Sequence, residues 1–418
     1  MAPTPASLAV AGSPASSSVR EASARFPARE AIQGMKFAEG SVSVYKRDFP
    51  GLEGRVYLNT GAEGILLQSF RQAVGRYFQV KSQGAEGRPQ LYEAEKECKR
   101  KIAGLLGVCA EGIAFVSNAS EGINRLCNSI AWKPGKDEVV INDLEFPSNV
   151  LPWLKLSKLG VKVHIVRNRK WDLSLDDFKQ HINHNTRLVS ISHVSYMNGL
   201  RFDTTELGKL VHSVGGVFCV DATQSMGRIP VPMEGIDYFV SSTYKWLLGP
   251  HGCGVVYCNQ GLLDGLEPSE VGWWSVADIF SPDRFDTYLL KPNAAKLELG
   301  MPNFVAIYAL SDALDYLLDI GITAIGSQLQ PVCDHLVEEL ERLGLDLITP
   351  RQPEKRAGII SFLDEDGEGI AEKLVRRGIH VWGGDGRVRI SVHLYNDHHD
   401  IERLIGALSE IDGGMKKR

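Results

Sequence analysis

The sequence lacks any apolar run long enough to cross a membrane, and it lacks an excess of positive charge. No window reaches about 18 consecutive uncharged apolar residues, the length that a membrane-spanning helix needs. Lys and Arg number 46 against 51 Asp and Glu, which gives a formal net charge of −5. A nucleic-acid-binding surface needs a clear basic excess to neutralise phosphates. We therefore expect no membrane segment and neither a membrane nor a nucleic-acid partner.

The sequence also lacks the cysteine pattern of a disulfide framework or a metal site. Its seven cysteines form an odd number and include no CxxC pair. Several lie inside apolar segments typical of strands, such as Cys219 in residues 217–220. Such usage is typical of reduced thiols in the core of a cytosolic protein, so we expect a cytoplasmic location and no metal.

The first 35 residues lack the continuous apolar segment of a secretory signal. They are rich in Ala, Ser and Pro, and Glu21 and Glu30 are atypical of transit peptides, which contain few acidic residues. We expect residues 1–35 to form a disordered tail. Residues 36–300 should form a large domain, whose earliest residues could pack with the small one, and residues 301–418 a smaller domain.

Short apolar segments alternate with longer amphipathic ones after this tail, which predicts βα units and a mainly parallel sheet. The predicted strands are residues 112–117, 138–142, 162–166, 187–194, 217–221, 238–241 and 253–258, with helices at 91–106 and 205–214. Helices at 304–320, 325–343 and 399–411, with strands at 359–363 and 388–392, predict an α+β C-terminal domain.

The segment 238–257 carries the first chemical signal. Lys245 follows an apolar strand and small hydroxyl residues, and it precedes a glycine-rich turn. A lysine at the end of a buried strand is costly unless it is neutralised or used covalently, and a Schiff base with an aldehyde cofactor does both. The alternative is a lysine on a surface loop.

Two further segments place polar residues after predicted strands. Asp221 ends strand 217–221 and Gln224 follows it, at the sheet edge where open α/β sheets bind ligands. A carboxylate there can keep the ring nitrogen of pyridoxal phosphate protonated, although Asp221 could instead cap a turn. Ala119 and Ser120 follow strand 112–117 and begin a helix. Its N-terminus could bind a phosphate or be an ordinary helix start.

These three segments, in this order, resemble the fold-type I pyridoxal-phosphate enzymes. Within them the chain is similar to the class V aminotransferase group, which contains cysteine desulfurases, isopenicillin N epimerase-like proteins and several C–S lyases. The resemblance extends from about residue 56 to residue 408. It implies an α/β fold with a mainly parallel sheet in the large domain and a smaller α+β C-terminal domain. It also implies pyridoxal 5′-phosphate as cofactor and a homodimer with sites at the subunit interface.

The resemblance implies a role for each matching residue. Lys245 would be the Schiff-base lysine and proton shuttle, and Asp221 the partner of the ring nitrogen. The other implied cofactor contacts are Gln224 and Tyr196 to the phenolic oxygen, Ala119, Ser120 and Ser242 to the phosphate, Phe146 to the ring face, and Tyr244 to the phosphate or the substrate. Without the resemblance, Phe146 could equally be a core residue.

The substrate contacts implied by the resemblance lie in two later segments. Arg389 matches the arginine that binds the substrate carboxylate, and a planar guanidinium suits that bidentate contact. The alternative is that Arg387 and Arg389 both point outward from an edge strand. Asn198 follows Tyr196 by two positions and could substitute for its contact, so we also predict Asn198 at the substrate.

The chain departs from the desulfurase pattern in two places. Desulfurases need a cysteine on a mobile loop shortly before the carboxylate-binding arginine, but no cysteine follows Cys333 and segment 378–387 is short. Phe146 also replaces the usual stacking histidine, and Phe cannot transfer protons. A desulfurase that forms a persulfide on the protein is therefore disfavoured.

We expect a pyridoxal-phosphate enzyme that acts at the α-carbon of an amino acid, with β-elimination by a C–S lyase, or a related side-chain cleavage, as the favoured reaction. That preference rests on the non-desulfurase members of the family. An aminotransferase or an epimerase is the first alternative, and a non-catalytic protein of the same fold is the second. The joint presence of Lys245, Asp221, Gln224 and Arg389 disfavours the non-catalytic alternative.

Overall fold

The computed structural model describes residues 43–415, and these residues belong to one compact unit. The tail predicted for residues 1–35 lies outside the described residues. Within the described range, no helix combines the length and the apolar character that a membrane span requires.

Helices and strands alternate along most of the described chain. The helices are α1 (Phe70–Lys81), α2 (Arg88–Leu106), α3 (Ala119–Ser129), α4 (Leu151–Leu156), α5 (Leu175–Lys179), α6 (Thr204–Ser213), α7 (Gln260–Leu263), α8 (Phe304–Ile320), α9 (Ile322–Arg342), α10 (Gly367–Val375) and α11 (His398–Met415). The strands are β1 (Val56–Tyr57), β2 (Ile113–Val116), β3 (Glu138–Asn142), β4 (Lys162–Val166), β5 (Thr186–Ser192), β6 (Val217–Asp221), β7 (Tyr238–Ser242), β8 (Gly254–Cys258), β9 (Asp346–Leu347), β10 (Ile359–Leu363), β11 (Ile379–His380), β12 (Trp382–Gly384) and β13 (Arg387–Ser391).

The larger sheet has seven strands in the order β2-β8-β7-β6-β5-β3-β4. The strands from β7 to β4 run parallel, and β8 is antiparallel to both of its neighbours. Successive residues of β6 enter two separate cores, with Phe218 and Val220 in one and Cys219 in the other. Because both faces are buried, these strands read as continuous apolar runs. The seven predicted strands and the mainly parallel sheet are confirmed.

The parallel strands bring their carboxyl ends to one edge of this sheet. Ser192 at the end of β5 pairs with Asp221 at the end of β6, and Asp221 pairs with Val240 near the end of β7. Ligands of open α/β sheets bind outside this edge. The residues that follow β3, β5, β6 and β7 therefore converge there.

A second, antiparallel sheet of four strands has the order β12-β13-β10-β9. Helix α10 packs against β12 and β13, and α9 packs against α11. This confirms the α+β character predicted for the C-terminal part. Helix α8, predicted to begin that part, packs against α1 and α2. The domain boundary at residue 300 stays a prediction.

The first described residues pack against the last elements of the chain. Strand β1 pairs in parallel with β11, and Lys46 forms ion pairs with Asp397 at 2.7 Å and Asp400 at 2.8 Å. Asn59 then bridges to Ser391 at the end of β13. The segment that follows Asn59 thus reaches the carboxyl edge of the larger sheet.

Candidate active site

A cavity of about 490 Å³ opens at the carboxyl edge of the larger sheet. Sixteen residues line it: Ser117, Asn118, Ala119, Ser120, Phe146, Ser148, Ser192, Tyr196, Asp221, Thr223, Gln224, Ser242, Tyr244, Lys245, His251 and Gly252. The structure therefore brings together every predicted cofactor-contacting residue. Arg389 lies beside this group, and Asn198 does not line the cavity.

Lys245 follows β7 and is 8% exposed, so the alternative of a surface-loop lysine is wrong. Its Nζ lies 5.6 Å from the centre of the Phe146 ring. The pKa of Lys245 is lowered to about 8, first by burial and then by the positive charge of Arg389. The negative charges of acidic neighbours, chiefly Asp221, oppose this shift. A buried amine with such a pKa is partly neutral near physiological pH, as a nucleophile or base requires.

Asp221 ends β6 with its side chain buried. Its Oδ1 accepts a hydrogen bond of 2.8 Å from the backbone N–H of Thr223, so it also caps the turn as the alternative reading proposed. Burial raises the pKa of Asp221, and the bonds from Thr223 and the charge of Lys245 oppose that rise. Asp221 therefore holds the turn after β6 and also lines the cavity.

Gln224 is held at both ends of its amide. Its Nε2 donates to the carbonyl oxygen of Gly61 at 3.0 Å, and its Oε1 accepts from Nε1 of Trp246 at 2.7 Å. Because an amide nitrogen carries two hydrogens, one donor of Gln224 remains for a ligand.

The N-terminus of α3 meets three serine hydroxyls. Asn118 caps the helix by accepting from the backbone N–H of Glu121 at 3.0 Å, so Ser120 is not needed as the cap. The hydroxyl of Ser120 instead lies 2.6 Å from that of Ser148, and the hydroxyl of Ser242 accepts from the N–H of Ala119 at 3.0 Å. The N–H of Ser120, the helix dipole and these hydroxyls suit a phosphate.

Phe146 and Tyr196 form one wall of the cavity. Their ring centres lie 5.1 Å apart in an edge-to-face arrangement. Phe146 is 44% exposed, so it is not a core residue. An aromatic face in this position suits contact with a planar ring.

A fully buried carboxylate, Glu145, supports this wall. It accepts hydrogen bonds from Asn142 Nδ2 at 2.6 Å, from Asn149 Nδ2 at 2.8 Å and from the backbone N–H of Ser192 at 2.7 Å. Burial raises the pKa of Glu145 to about 7, although these bonds lower it. The network ties the loop that carries Phe146 to the end of β5.

Arg389 lies in β13 between β12 and β10, and it is 4% exposed. An outward position on an edge strand is therefore wrong for Arg389, and for the buried Arg387 as well. The Nη1 of Arg389 donates to the carbonyl oxygen of Tyr196 at 3.1 Å, and its guanidinium lies 5.1 Å from the ring centre of Trp382. Burial, followed by the charge of Arg387, lowers the pKa of Arg389 to about 10, so a carboxylate ligand would compensate a buried cation.

The prediction of Asn198 as a substrate contact needs correction. Its Nδ2 donates to the carbonyl oxygens of Trp171 at 2.7 Å and Ile348 at 3.2 Å, and its Oδ1 accepts from the N–H of Leu200 at 3.1 Å. The side chain is fully buried and fastens the chain after β5 to neighbouring loops. These bonds occupy both of its amide hydrogens.

The residues at or beside the cavity that sequence reasoning missed include Glu63, Glu145, Ser148, Thr223 and His251. Glu145 and Ser148 flank Phe146, and Thr223 lies in the turn after β6, so the local sequence offered a signal for these three. Glu63 precedes the predicted site by more than fifty residues and carried no local signal. His251 follows a turn whose direction the sequence does not reveal.

The chemistry of these side chains fits pyridoxal phosphate. Asp221 is a buried carboxylate that a protonated ring nitrogen would pair with. The serine hydroxyls at the N-terminus of α3 suit its phosphate, and the amine of Lys245 suits its aldehyde.

Known proteins resemble this chain in sequence and in fold. The chain matches the family described as aminotransferase class-V over residues 56–404. It is 30% identical over 396 residues to a probable cysteine desulfurase of Methanothermobacter thermautotrophicus, which covers 88% of this chain and 97% of that one. The apo structure of a cysteine desulfurase from Thermococcus onnurineus NA1 has a TM-score of 0.82 and 27% identity, covering 88% and 97% of the two chains. The cystine C–S lyase C-DES, in complex with cysteine persulfide, has a TM-score of 0.79 and 21% identity, covering 86% and 98%; this likeness shows the fold alone.

Replacing Glu145 with Gln should remove a pH-dependent loss of stability. Folding raises the pKa of Glu145 from 4.5 to about 7, so the unfolded chain releases this proton first and stability falls as the pH rises through that window. The shift corresponds to about 3 kcal/mol. In urea unfolding between pH 5 and pH 8, we expect wild type to lose up to about 3 kcal/mol more than Glu145→Gln. The exposed Glu111→Gln should follow wild type, and equal pH profiles for wild type and Glu145→Gln would contradict the assignment.

Proposed function

We propose that this chain, which belongs to the aminotransferase class-V family and is a pyridoxal-phosphate-dependent enzyme, is a C–S lyase. In this reaction the substrate is an amino acid with sulfur on its β-carbon, and the products are a free sulfur compound, pyruvate and ammonium. The observation that carries the proposal is the tight hairpin that precedes Arg389.

The hairpin between β12 and β13 leaves no room for a mobile loop. Gly384 pairs with Arg387, so only Asp385 and Gly386 form the turn, with φ angles of 53° and 68°. Two positive φ angles are what a two-residue type I′ turn requires. None of the sixteen described residues that line the cavity is a cysteine. This supports release of the sulfur product rather than its capture on a protein thiol.

We propose that the residues of the cavity divide the work as follows. Pyridoxal phosphate supplies an electron sink that acidifies the α-hydrogen of a bound amino acid. Lys245, whose pKa is lowered to about 8, accepts that proton at Nζ. Asp221 keeps the ring nitrogen protonated, and Phe146 contacts the face of the ring. Arg389 binds the substrate carboxylate, which compensates its buried charge.

The remaining predicted residues hold the cofactor in this proposal. Gln224 donates its second amide hydrogen to the phenolic oxygen, where Tyr196 also makes contact. The phosphate is held by the N-terminus of α3, through Ala119 and Ser120, and by Ser242. Tyr244, which adjoins Lys245 and lines the cavity, faces the phosphate or the substrate.

Formation of pyruvate without a keto-acid acceptor tests the proposed reaction. The purified holoenzyme is given β-chloroalanine, S-methylcysteine or cystine, and pyruvate is measured with lactate dehydrogenase. We expect pyruvate from wild type, and a loss of about 10³-fold or more in Lys245→Ala because the base is removed. Lys209→Ala, at an exposed lysine of α6, should leave the rate unchanged.

Two other outcomes would point to the alternatives. Amino transfer to a keto acid without pyruvate would identify an aminotransferase. Alanine formed from cysteine, with sulfur retained on the protein, would identify a desulfurase. Either result would overturn the lyase proposal.

We also propose that the chain forms a homodimer. Phe280, Phe285, Tyr288 and Leu289 lie between β8 and α8 and are between 63% and 85% exposed in the single chain. Such a concentration of exposed large apolar side chains is typical of a protein contact.

Light scattering after size-exclusion chromatography tests the dimer. We expect the mass of two chains for wild type and of one chain for the double variant Phe280→Glu, Phe285→Glu, because carboxylates in an apolar contact lose hydration. Leu159→Glu, at another exposed apolar residue, should remain dimeric. A monomeric wild type would contradict the proposal.

A further inference from the structure

An imidazole and a carboxylate stand at the rim of the cavity, outside the roles assigned above. The Nε2 of His251 lies 3.3 Å from Oε2 of Glu63. The imidazole ring stacks on the phenol ring of Tyr244, with 4.4 Å between ring centres and 18° between planes. Among the described residues that line the cavity, His251 is the one histidine.

The backbone holds Glu63 against the segment that carries Lys245. The N–H of Gly64 donates to the carbonyl oxygen of Tyr244 at 2.8 Å. A side chain at Gly64 would overlap the carbonyl oxygen of Lys245, so only glycine permits this approach. The hydroxyl of Tyr57 donates to the carbonyl oxygen of Glu63 at 2.8 Å. Glu63 therefore has a fixed place beside the catalytic segment.

Hydrogen bonds also hold the turn that carries His251 against the segment around Lys245. The turn after Lys245 closes when Gly249 N–H donates to the carbonyl oxygen of Thr243 at 2.9 Å. The hydroxyl of Thr243 donates to the carbonyl oxygen of Pro250 at 2.9 Å. Gly252 follows with φ of +76°, which turns the chain back into β8. The His251 side chain is thereby presented to the cavity rim.

The pair has the chemistry of an oriented proton donor. Burial raises the pKa of Glu63, while His251 and Lys245 lower it. A carboxylate that accepts from one imidazole nitrogen fixes the ring and leaves the other nitrogen to face a reactant. Tyr244 is a poorer acid near neutral pH, because burial and then Glu63 raise its phenol pKa.

We propose that His251, oriented by Glu63, is the general acid that protonates the sulfur leaving group. This inference rests on the proposed lyase function and identifies the group that completes it. Thiolates leave poorly without a proton, whereas general acid catalysis by a positioned histidine accelerates such a step by about 10²-fold to 10⁴-fold.

The proton and electron balance of the step is closed. Lys245 Nζ takes the α-proton. The electron pair of the broken Cα–H bond forms a Cα–Cβ double bond, and the Cβ–S bond breaks with its pair on sulfur. The sulfur takes a proton from Nδ1 of His251 and departs as a thiol. Overall, the S-substituted cysteine and one water give a thiol, pyruvate and ammonium, with no oxidant or reductant. His251, whose side chain is 68% exposed, regains its proton from water.

The choice of leaving group tests this role. Chloride leaves β-chloroalanine without a proton, whereas the thiolate of S-methylcysteine needs one. We expect His251→Asn to lower kcat/KM for S-methylcysteine by about 10²-fold or more, and for β-chloroalanine by less than about 3-fold. His212→Asn is the matched control, because His212 also pairs with a carboxylate, Asp237 at 2.8 Å, outside the cavity. It should change neither value.

Glu63 is a positioning residue in this proposal. Glu63→Gln should also lower kcat/KM for S-methylcysteine more than for β-chloroalanine. The effect should be smaller than that of His251→Asn, because the amide keeps the contact with His251 and loses only the charge. Glu63→Asp should recover part of that loss. An equal effect of Glu63→Gln on both substrates would indicate a structural role instead.

A readout without turnover locates His251 at the substrate side chain. Diethyl pyrocarbonate modifies exposed imidazoles, and mass spectrometry reports the rate at His251. Norleucine has a long side chain and no leaving group. When it occupies more than about 80% of the sites, we expect modification of His251 to slow by at least about 5-fold. Alanine should not slow it, and His212 should react equally in all samples. Equal modification of His251 with norleucine and alanine would contradict the proposed contact.

The outcomes separate this inference from the function on which it rests. If wild type forms no pyruvate from β-chloroalanine, the lyase proposal fails and the general acid fails with it. If wild type forms pyruvate from both substrates and His251→Asn slows both equally, only the general acid is overturned. Wild type that eliminates chloride but never a thiol would overturn the C–S lyase proposal and the general acid together.

Discussion

The burial of Lys245 beside Asp221 is the constraint on which the candidate site depends. Removing both groups from water lowers the pKa of Lys245 to about 8 and raises the pKa of Asp221, so burial drives each toward its neutral form. The positive charge of Arg389, which does not itself line the cavity, further lowers the pKa of Lys245. An enzyme that uses a lysine as base near neutral pH needs this environment, and the parallel strands provide it by ending β6 and β7 at the same edge.

The local sequence predicts the centre of the site well, because the chemically important residues there follow directly after strands of the larger sheet. Each apolar strand of the sheet could be recognised from its composition, and Asp221 and Lys245 follow two of them. Parallel strands share a carboxyl edge, so these residues had to meet. Ala119 and Ser120 could be found for the same reason.

The periphery of the site could not be predicted, because it depends on contacts between distant segments. Glu63 reaches the cavity through the pairing of its own segment with β11 and β13, far along the chain. Asn198 is a polar residue two positions after Tyr196, but its amide donates hydrogen bonds to backbone carbonyl oxygens in two other loops. Arg389 is buried because β13 is an interior strand of the smaller sheet. The sequence of β13 alone does not indicate whether the strand is interior or at an edge.

We propose above all that Lys245 carries the cofactor in this cavity. Borohydride reduction of the holoenzyme fixes pyridoxal phosphate to the amine that binds it, and peptide mapping by mass spectrometry then identifies that amine. We predict a single labelled peptide with the cofactor on Lys245, and no label when Lys245 is replaced by Ala. Label on another lysine, or an unlabelled chain after loading with the cofactor, would contradict the assignment of Lys245.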